Sequence, residues 1–382
     1  MTNGSPGIPG LAPETDIVGM VFQMVFYAIF FIFMFYGQKI QMWTWLKTIE
    51  TAVAKLQYMA HEGREITINM IKNIAKPETD PRSIVGQFLE FFIVQPVEKD
   101  PAGVIKRLEH VLDIRESRFK DQVEILAPKV NKDEAANIEN TLEAALSVNL
   151  IYRIVKHFYL LGKKTKSMMV IMQIQMQLNL ILRIAKAIME ALKAFSQGKP
   201  IGDGIGPLVI SNLYHQYKSP QNEPKTIKDY TEDITVHEME IENRHAFLIR
   251  ATGPGARVGK PGKAVQKLMD EYQNRIKRLF MIDAGLKLEG EKSGDVIEGV
   301  GAVIGGPGVE KYKIEESGVK FNLPMDGYVI KESAIDAYGP MKQIISKSVN
   351  KVIDLLKIGI QERTAEGDTI IICGVGNTVG IG

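Results

Sequence analysis

The sequence predicts an α + α/β protein: an N-terminal transmembrane helix, an all-α middle region, and a C-terminal α/β domain with a mostly parallel sheet. Three observations carry this. The run Ile17 to Tyr36, IVGMVFQMVFYAIFFIFMFY, has Gln23 as its one strongly polar side chain and is long enough to cross a hydrocarbon core as a helix. From there to about Gly198, apolar residues recur at helical spacing. Beyond Gly198, short apolar runs alternate with helical stretches and glycine-rich loops, the grammar of a parallel sheet covered by helices on both faces. The expected divisions are a disordered tail over 1–15, the transmembrane helix over 16–37, a helical domain over 38–198 and the α/β domain over 199–382.

The first span reads as an anchor and not as a signal peptide, because no basic residue precedes it and no small-residue cleavage site follows. Glu14 and Asp16 lie before it and Lys39 and Lys47 after it. The positive-inside rule then expects a single-pass protein of the cell membrane with the bulk of the chain in the cytoplasm. Met42, Leu46, Ile49, Val53, Leu56 and Ala60 continue as a heptad seam that breaks near Gly63. That seam suits either an intramolecular bundle or self-association and protein partners through the 42–60 helix.

Further helices are expected over IVGQFLEFFIVQPV, from Asp100 to Lys129 with Asp100-Pro101 as cap and first-turn proline, and from Asn131 to Gly162. The methionine-rich helix that follows holds Gln173, Gln175, Gln177 and Asn179. Four amides in hydrocarbon need partners, so this helix is expected to be buried or membrane-apposed, and one span is the better count.

In the C-terminal part, strands are expected at HAFLIRAT (245–252), LFMIDAGLKL, GAVIGG and MDGYVIKES, with helices from Val265 to Lys277 and from Ala334 to Glu362. A final strand is expected at Ile370 to Cys373. The formal charge of +2 and the lack of a basic, aromatic-interleaved patch exclude nucleic acid as an expected partner. The single cysteine, Cys373, excludes disulfides and CxxC metal sites, and in an apolar strand it reads as an inert thiol. His215, His237 and His245 have no ligand spacing, so no metal site is expected. No GxSxG is present for a serine nucleophile. The sequence leaves the identity of any cofactor open.

Two glycine-rich loops are candidate ligand-binding sites. In GPGARVGKPGKA, the amides around Gly253, Gly255 and Gly259 with Lys260 and Lys263 could cradle a phosphate or nucleotide, although the spacing departs from a P-loop and Pro261 replaces the magnesium-binding hydroxyl. The second, Gly374-Val375-Gly376-Asn377, follows a strand without a helix after it. PIGDGIGPLVISNLY (200–214) is a turn and helix without a strand before it. Joined, the two make a complete βα unit, the product expected of a circular permutation.

The joined unit resembles hydrogenase-maturation endopeptidases and spore germination proteases. The residues carrying the likeness are Gly374-Val375-Gly376-Asn377, then Asp203-Gly204-Ile205-Gly206-Pro207, Ile282-Asp283-Ala284, and the stretch from Asp326 to Ala337. The resemblance covers residues 200–382 in permuted order. It implies a peptidase-type site with Asp203 and Asp283 as catalytic carboxylates at neighbouring strand ends, sharing a proton so that one acts as base and the other as acid. The histidine ligand of the hydrogenase group has no counterpart after His245. Glu298 and Glu310 are further carboxylates by location. As a whole, PIGDGIGPLV, IDAGLKLEGE, GVGNT and the methionine- and glutamine-rich helix resemble an archaeal family of single-span proteins known only as a domain of unknown function.

Three functions follow as expectations: a membrane-anchored scaffold that recruits partners, a peptidase-like hydrolase using the carboxylate pair, and a phosphate- or nucleotide-binding protein. Local backbone work, such as an N-cap for Asp203 and turn chemistry for Asp283, is the competing account of both aspartates.

Overall fold

The computed structural model describes residues 17–92 and 103–382. The expected tail over 1–15, residue 16 of the span, and the Asp100-Pro101 helix start lie outside these residues. Two compact units are present: residues 1–53 with 155–178, and residues 54–154 with 179–382.

The apolar run opens a single helix, α1 (Ile17–Ala75), of 59 residues. Its first part exposes Phe22, Phe26, Phe30 and Phe33, as a lipid-facing segment does. The seam residues Ile49, Val53, Leu56 and Ala60 are buried within the chain. The expected break near Gly63 does not occur. A side chain there would press on Leu192 at 3.1 Å and Met189 at 3.4 Å, so glycine permits a close helix crossing while α1 runs on to Ala75.

Next come α2 (Arg82–Phe88), α3 (Val104–Leu126), α4 (Lys132–Thr165) and α5 (Met168–Ser196). Asn131 starts α4 by accepting from the amides of Asp133 at 3.0 Å and Glu134 at 2.8 Å, and Glu134 accepts from the Asn131 amide at 3.3 Å. This is a reciprocal capping box. By length and composition, two helices among the described residues could cross a membrane, α1 and α5.

The α/β part begins with a 3₁₀ turn over Gly202–Gly204 and α6 (Ile205–Tyr217), then β1 (Lys225–Thr231), β2 (Ile234–Ile241), β3 (Arg244–Ala251) and α7 (Pro261–Tyr272). It continues with β4 (Ile276–Leu286), β5 (Val296–Val300), α8 (Val309–Lys320), β6 (Met325–Glu332), α9 (Ala334–Tyr338), α10 (Gln343–Arg363) and β7 (Thr369–Gly374). The sheet is mixed, in the order β1-β2-β3-β7-β4-β6-β5. Its centre, β3-β7-β4-β6, is parallel, and the flanking pairs are antiparallel.

Side chains of the central strands alternate between two cores, as the pleat requires. Phe280, Ile282, Ile370 and Ile372 pack with α6 and α10, whereas Leu279, Met281, Ile371 and Cys373 pack with α7 and α8. Both faces are covered, so these strands read as continuous apolar runs.

Three expectations are corrected. GAVIGG is a loop, and the strand is the preceding β5; glycines at positive φ, Gly301 and Gly306, suit a loop and not a ladder. The long helix from Ala334 is split at Gly339-Pro340 into α9 and α10, because proline cannot continue a helix from its interior. The hairpin β1–β2 was not among the expected strands.

Residues 374–377 lie against the start of α6, so the strand and helix form one βα unit through space. A Cβ on Gly206 would overlap the Val375 carbonyl and sit 2.7 Å from the Ile282 carbonyl oxygen. Gly206→Ala should therefore lower stability by about 2–4 kcal/mol, the scale of severe overpacking. Thermal unfolding followed by circular dichroism measures it, and an unchanged midpoint would contradict the close approach.

Candidate functional site

Asp203 sits in the turn before α6, and Asp283 near the end of β4, opposite Val375 of the neighbouring chain segment (the ladder pairs Ile282 with Gly374). Both line one cavity of about 420 Å³, walled by the loop from Ile304 to Gly308, by Val258–Pro261, and by Glu109, Asp113 and Glu116 of α3. A crevice beyond the carboxyl ends of parallel strands is where open α/β sheets bind ligands.

The helix-cap account of Asp203 does not hold, since α6 has no side-chain cap. Its Oδ2 instead accepts from the Asn377 amide at 3.1 Å, across 174 positions of sequence. Asp283 Oδ2 accepts from the Gly305 amide at 3.2 Å.

Burial raises the pKa of Asp203, and the Asn377 bond only partly offsets this. Asp283 is raised well above the usual carboxylate range, by burial first and then by the Asp203 charge, with a smaller push from Glu332. A carboxyl group whose pKa is raised retains a proton to higher pH than an ordinary surface aspartate does, and can donate it there.

Glu332, at the end of β6, was not expected in the site. It has no exposed surface, and neither carboxylate oxygen has a hydrogen-bond partner. A Cβ on Gly202 would strike its Oε2, so the glycine beside Asp203 makes room for it. Burial, then Asp203 and Asp336, push its pKa up to about 8. The only sequence signal was a glutamate at an inward position of an apolar strand, MDGYVIKE. Of the two other carboxylates, Glu310 lines the cavity, accepting from the Lys263 amide at 3.1 Å and pairing with Lys313 at 3.0 Å. Glu298 lies on the edge strand β5 and pairs with Arg363, away from the cavity lining.

The loop from Gly253 to Lys263 has found its partners inside the chain. Gly253 makes room for the Ile381 carbonyl, Gly255 for the Asp133 backbone, and Gly259 (φ +64°) for the Asp233 carbonyl. Lys260 pairs with Asp113 at 3.0 Å, with Glu116 at 3.4 Å and with Glu232, and Lys263 with Glu109 at 3.0 Å. Both ammonium groups proposed for a phosphate are thus neutralised by carboxylates. Lys260, together with Lys120, explains the cluster of Glu116, Glu232 and Asp233, whose oxygens lie within 4.8 Å of one another: these two lysines supply its cations.

Gly374 and Gly376 (φ +136°) admit the backbones of Gly206 and Asp203. Asn377 holds Val379 through its Oδ1 at 2.9 Å, so this loop shapes the site from behind. Cys373 is buried, and burial pushes its thiol up to about 12, which keeps it inert. His237 bonds Thr226 at 2.8 Å and is held neutral by burial, its pKa lowered to about 4.

Residues 23–198 match the family described as protein of unknown function (DUF1512), N-terminal domain, and residues 201–382 match its C-terminal domain. The chain belongs to the DUF1512 family. No curated protein and no solved structure gives a significant match. Asp203, Asp283 and Glu332 all fall in the C-terminal DUF1512 domain. The cavity wall from α3 comes from the N-terminal one.

Glu332 binds a proton more tightly folded than unfolded, so the native state holds more protons and stability falls as pH rises from about 4.5 towards 8. Glu332→Gln should be neutral below pH 4.5 and stabilise by roughly 2–4 kcal/mol at pH 9. Urea unfolding of both proteins across this range measures the difference. A constant difference at all pH values would show that Glu332 does not titrate with folding.

Proposed function

We propose that this protein is a membrane-anchored hydrolase of the peptidase type, with Asp203 and Asp283 as its acid–base pair. One observation supports the reading above others: two carboxylates brought from distant positions line the same cavity, and the charge of Asp203 raises the cost of ionising Asp283. In such a pair one carboxylate ionises and takes a proton from water, while the other stays protonated and delivers its proton to the leaving amine. The amides of Asn377 and Gly305 hold one oxygen of each group and fix the orientation of the pair. Glu332, pushed up to about 8 by burial and then by Asp203 and Asp336, holds a proton within the cluster beside Asp203.

The anchor reading rests on α1, with its apolar, exposed first segment. Lys39 and Lys47 follow the span, which supports a single pass with the catalytic part in the cytoplasm.

A second reading, a membrane-anchored scaffold that recruits partners or self-associates through the 42–60 helix, draws on a different observation. Both aspartates bond backbone amides of other loops, which is structural work that needs no chemistry. The seam itself is buried from Ile49 to Ala60, so self-association would use its exposed flank, such as Tyr58 (68% exposed).

The two readings separate by experiment. With the full-length protein in detergent and a labelled peptide library as substrate, Asp203→Asn and Asp283→Asn should each lower cleavage by about 10²–10⁴-fold while keeping the native circular dichroism spectrum. Cleavage that survives both substitutions removes the carboxylate mechanism. Wild-type protein that cleaves nothing, with variants that lose only stability, favours the scaffold.

A further inference from the structure

We propose that the turn joining α4 to α5 docks on the anionic headgroup surface of the bilayer that α1 enters. The inference rests on the membrane reading of α1 and extends it to a second, peripheral contact.

The first observation is charge. Between Glu143 and Glu190 the sequence contains no acidic residue, while Arg153, Lys156, Lys163, Lys164, Lys166, Arg183 and Lys186 fall in that interval. Three of these lysines crowd the turn itself, where Lys163, Lys164 and Lys166 are exposed.

The second is exposed apolar surface beside the turn. The hairpin buries Val155, Tyr159, Ile171, Ile174 and Leu178. It exposes Phe158, Leu161, Met169 and Met176, the two methionines at 74% and 77%. Gln173 and Gln177 share the exposed side. Methionines mixed with amides suit the headgroup boundary, where polar atoms stay wet, and do not suit the hydrocarbon centre.

The third is height. Gly63 faces Ala145 and Glu50 bonds Tyr159, so α4 runs antiparallel to α1 and climbs towards the span. Glu50 lies about 21 Å along the helix from Tyr36, and α4 recovers about 9 Å between Tyr159 and Thr165 at 1.5 Å per residue. The turn therefore stands about 12 Å from the hydrocarbon edge, of which headgroups occupy about 5–7 Å. Lysine side chains cover the remainder, within a Debye length of about 8 Å. Trp43, 67% exposed, lies along α1 between the span and this level, as interfacial aromatics do.

A second copy of the chain is the less suitable occupant, because two such turns would bring like charges together. An anionic leaflet matches both the lysines and the apolar flank.

The full-length chain reconstituted in vesicles provides the test. Cys373 is buried, so single-cysteine labelling is selective for introduced sites. A fluorophore is placed at Met169→Cys and at Phe30→Cys within the span. Quenching is read with nitroxide lipids in phosphatidylglycerol-containing and in purely phosphatidylcholine vesicles. The expected result is quenching at 30 in both and quenching at 169 at least about twofold stronger in the anionic vesicles. Lys163→Glu, Lys164→Glu and Lys166→Glu together should abolish the difference at 169.

Quenching at 30 without quenching at 169 overturns the docking and leaves the anchor standing. No quenching at 30 removes the anchor and the docking with it. Equal quenching at 169 in both lipids overturns the electrostatic contact, and energy transfer between labelled copies at 169 assigns the face to self-association instead.

Discussion

The α/β part depends on one contact in which backbone meets backbone: the turn at 374–377 against the turn at 202–206. Gly204, Gly206, Gly374 and Gly376 all lie where an added Cβ would collide with main-chain atoms of the other segment. Main-chain atoms meet directly at all four glycines, so the approach is intolerant of substitution there. It delivers the Asn377 amide to Asp203, seats α6 on the ends of β7 and β4, and sets the floor of the cavity. Of the three acids, Asp203 is held by this contact directly, while the Gly305 amide holds Asp283.

Three acidic groups are buried together here without a compensating cation nearby. Burial of a carboxylate in its charged form is expensive, and the group responds by retaining its proton. Other acids are paired: in the same domain Asp326 with Arg278 at 2.7 Å and Arg363 at 3.0 Å, and on α3 at the cavity wall Glu109 with Lys313 at 2.7 Å. The cluster of unpaired acids sits at the cavity, and the paired ones surround it. This contrast is what distinguishes a poised site from structural electrostatics.

Much of this was legible in the sequence, and the reasons for what was not are physical. Strands β3, β4, β6 and β7 announce themselves because both faces are covered and each carries a run of consecutive apolar residues, such as Ala246–Ile249, Leu279–Ile282 and Ile370–Cys373. The pairing of Gly374–Asn377 with Asp203–Pro207 was legible because each half lacked what the other supplied. Strand β1 is mostly exposed, and its polar sequence KTIKDYT carries no periodic apolar signal. The partners of Lys260 could not be read, since Asp113 lies 147 positions away on a helix of another domain, and a glycine-rich loop with lysines looks the same whether its cations are free or paired. Glu332 was hidden because a glutamate ending a strand is ordinary until its surroundings are known to be closed.

The long reach of the Asp203–Asn377 bond also sets a schedule. A ribosome adding about 5–20 residues per second makes the loop that orients Asp203 roughly 10 to 35 s after Asp203 itself. Through that interval the emerging chain carries an acidic residue in water with ordinary acidity and no cavity around it. The cavity and the raised pKa values of its aspartates thus come into being only when nearly the whole domain has been synthesised and closed.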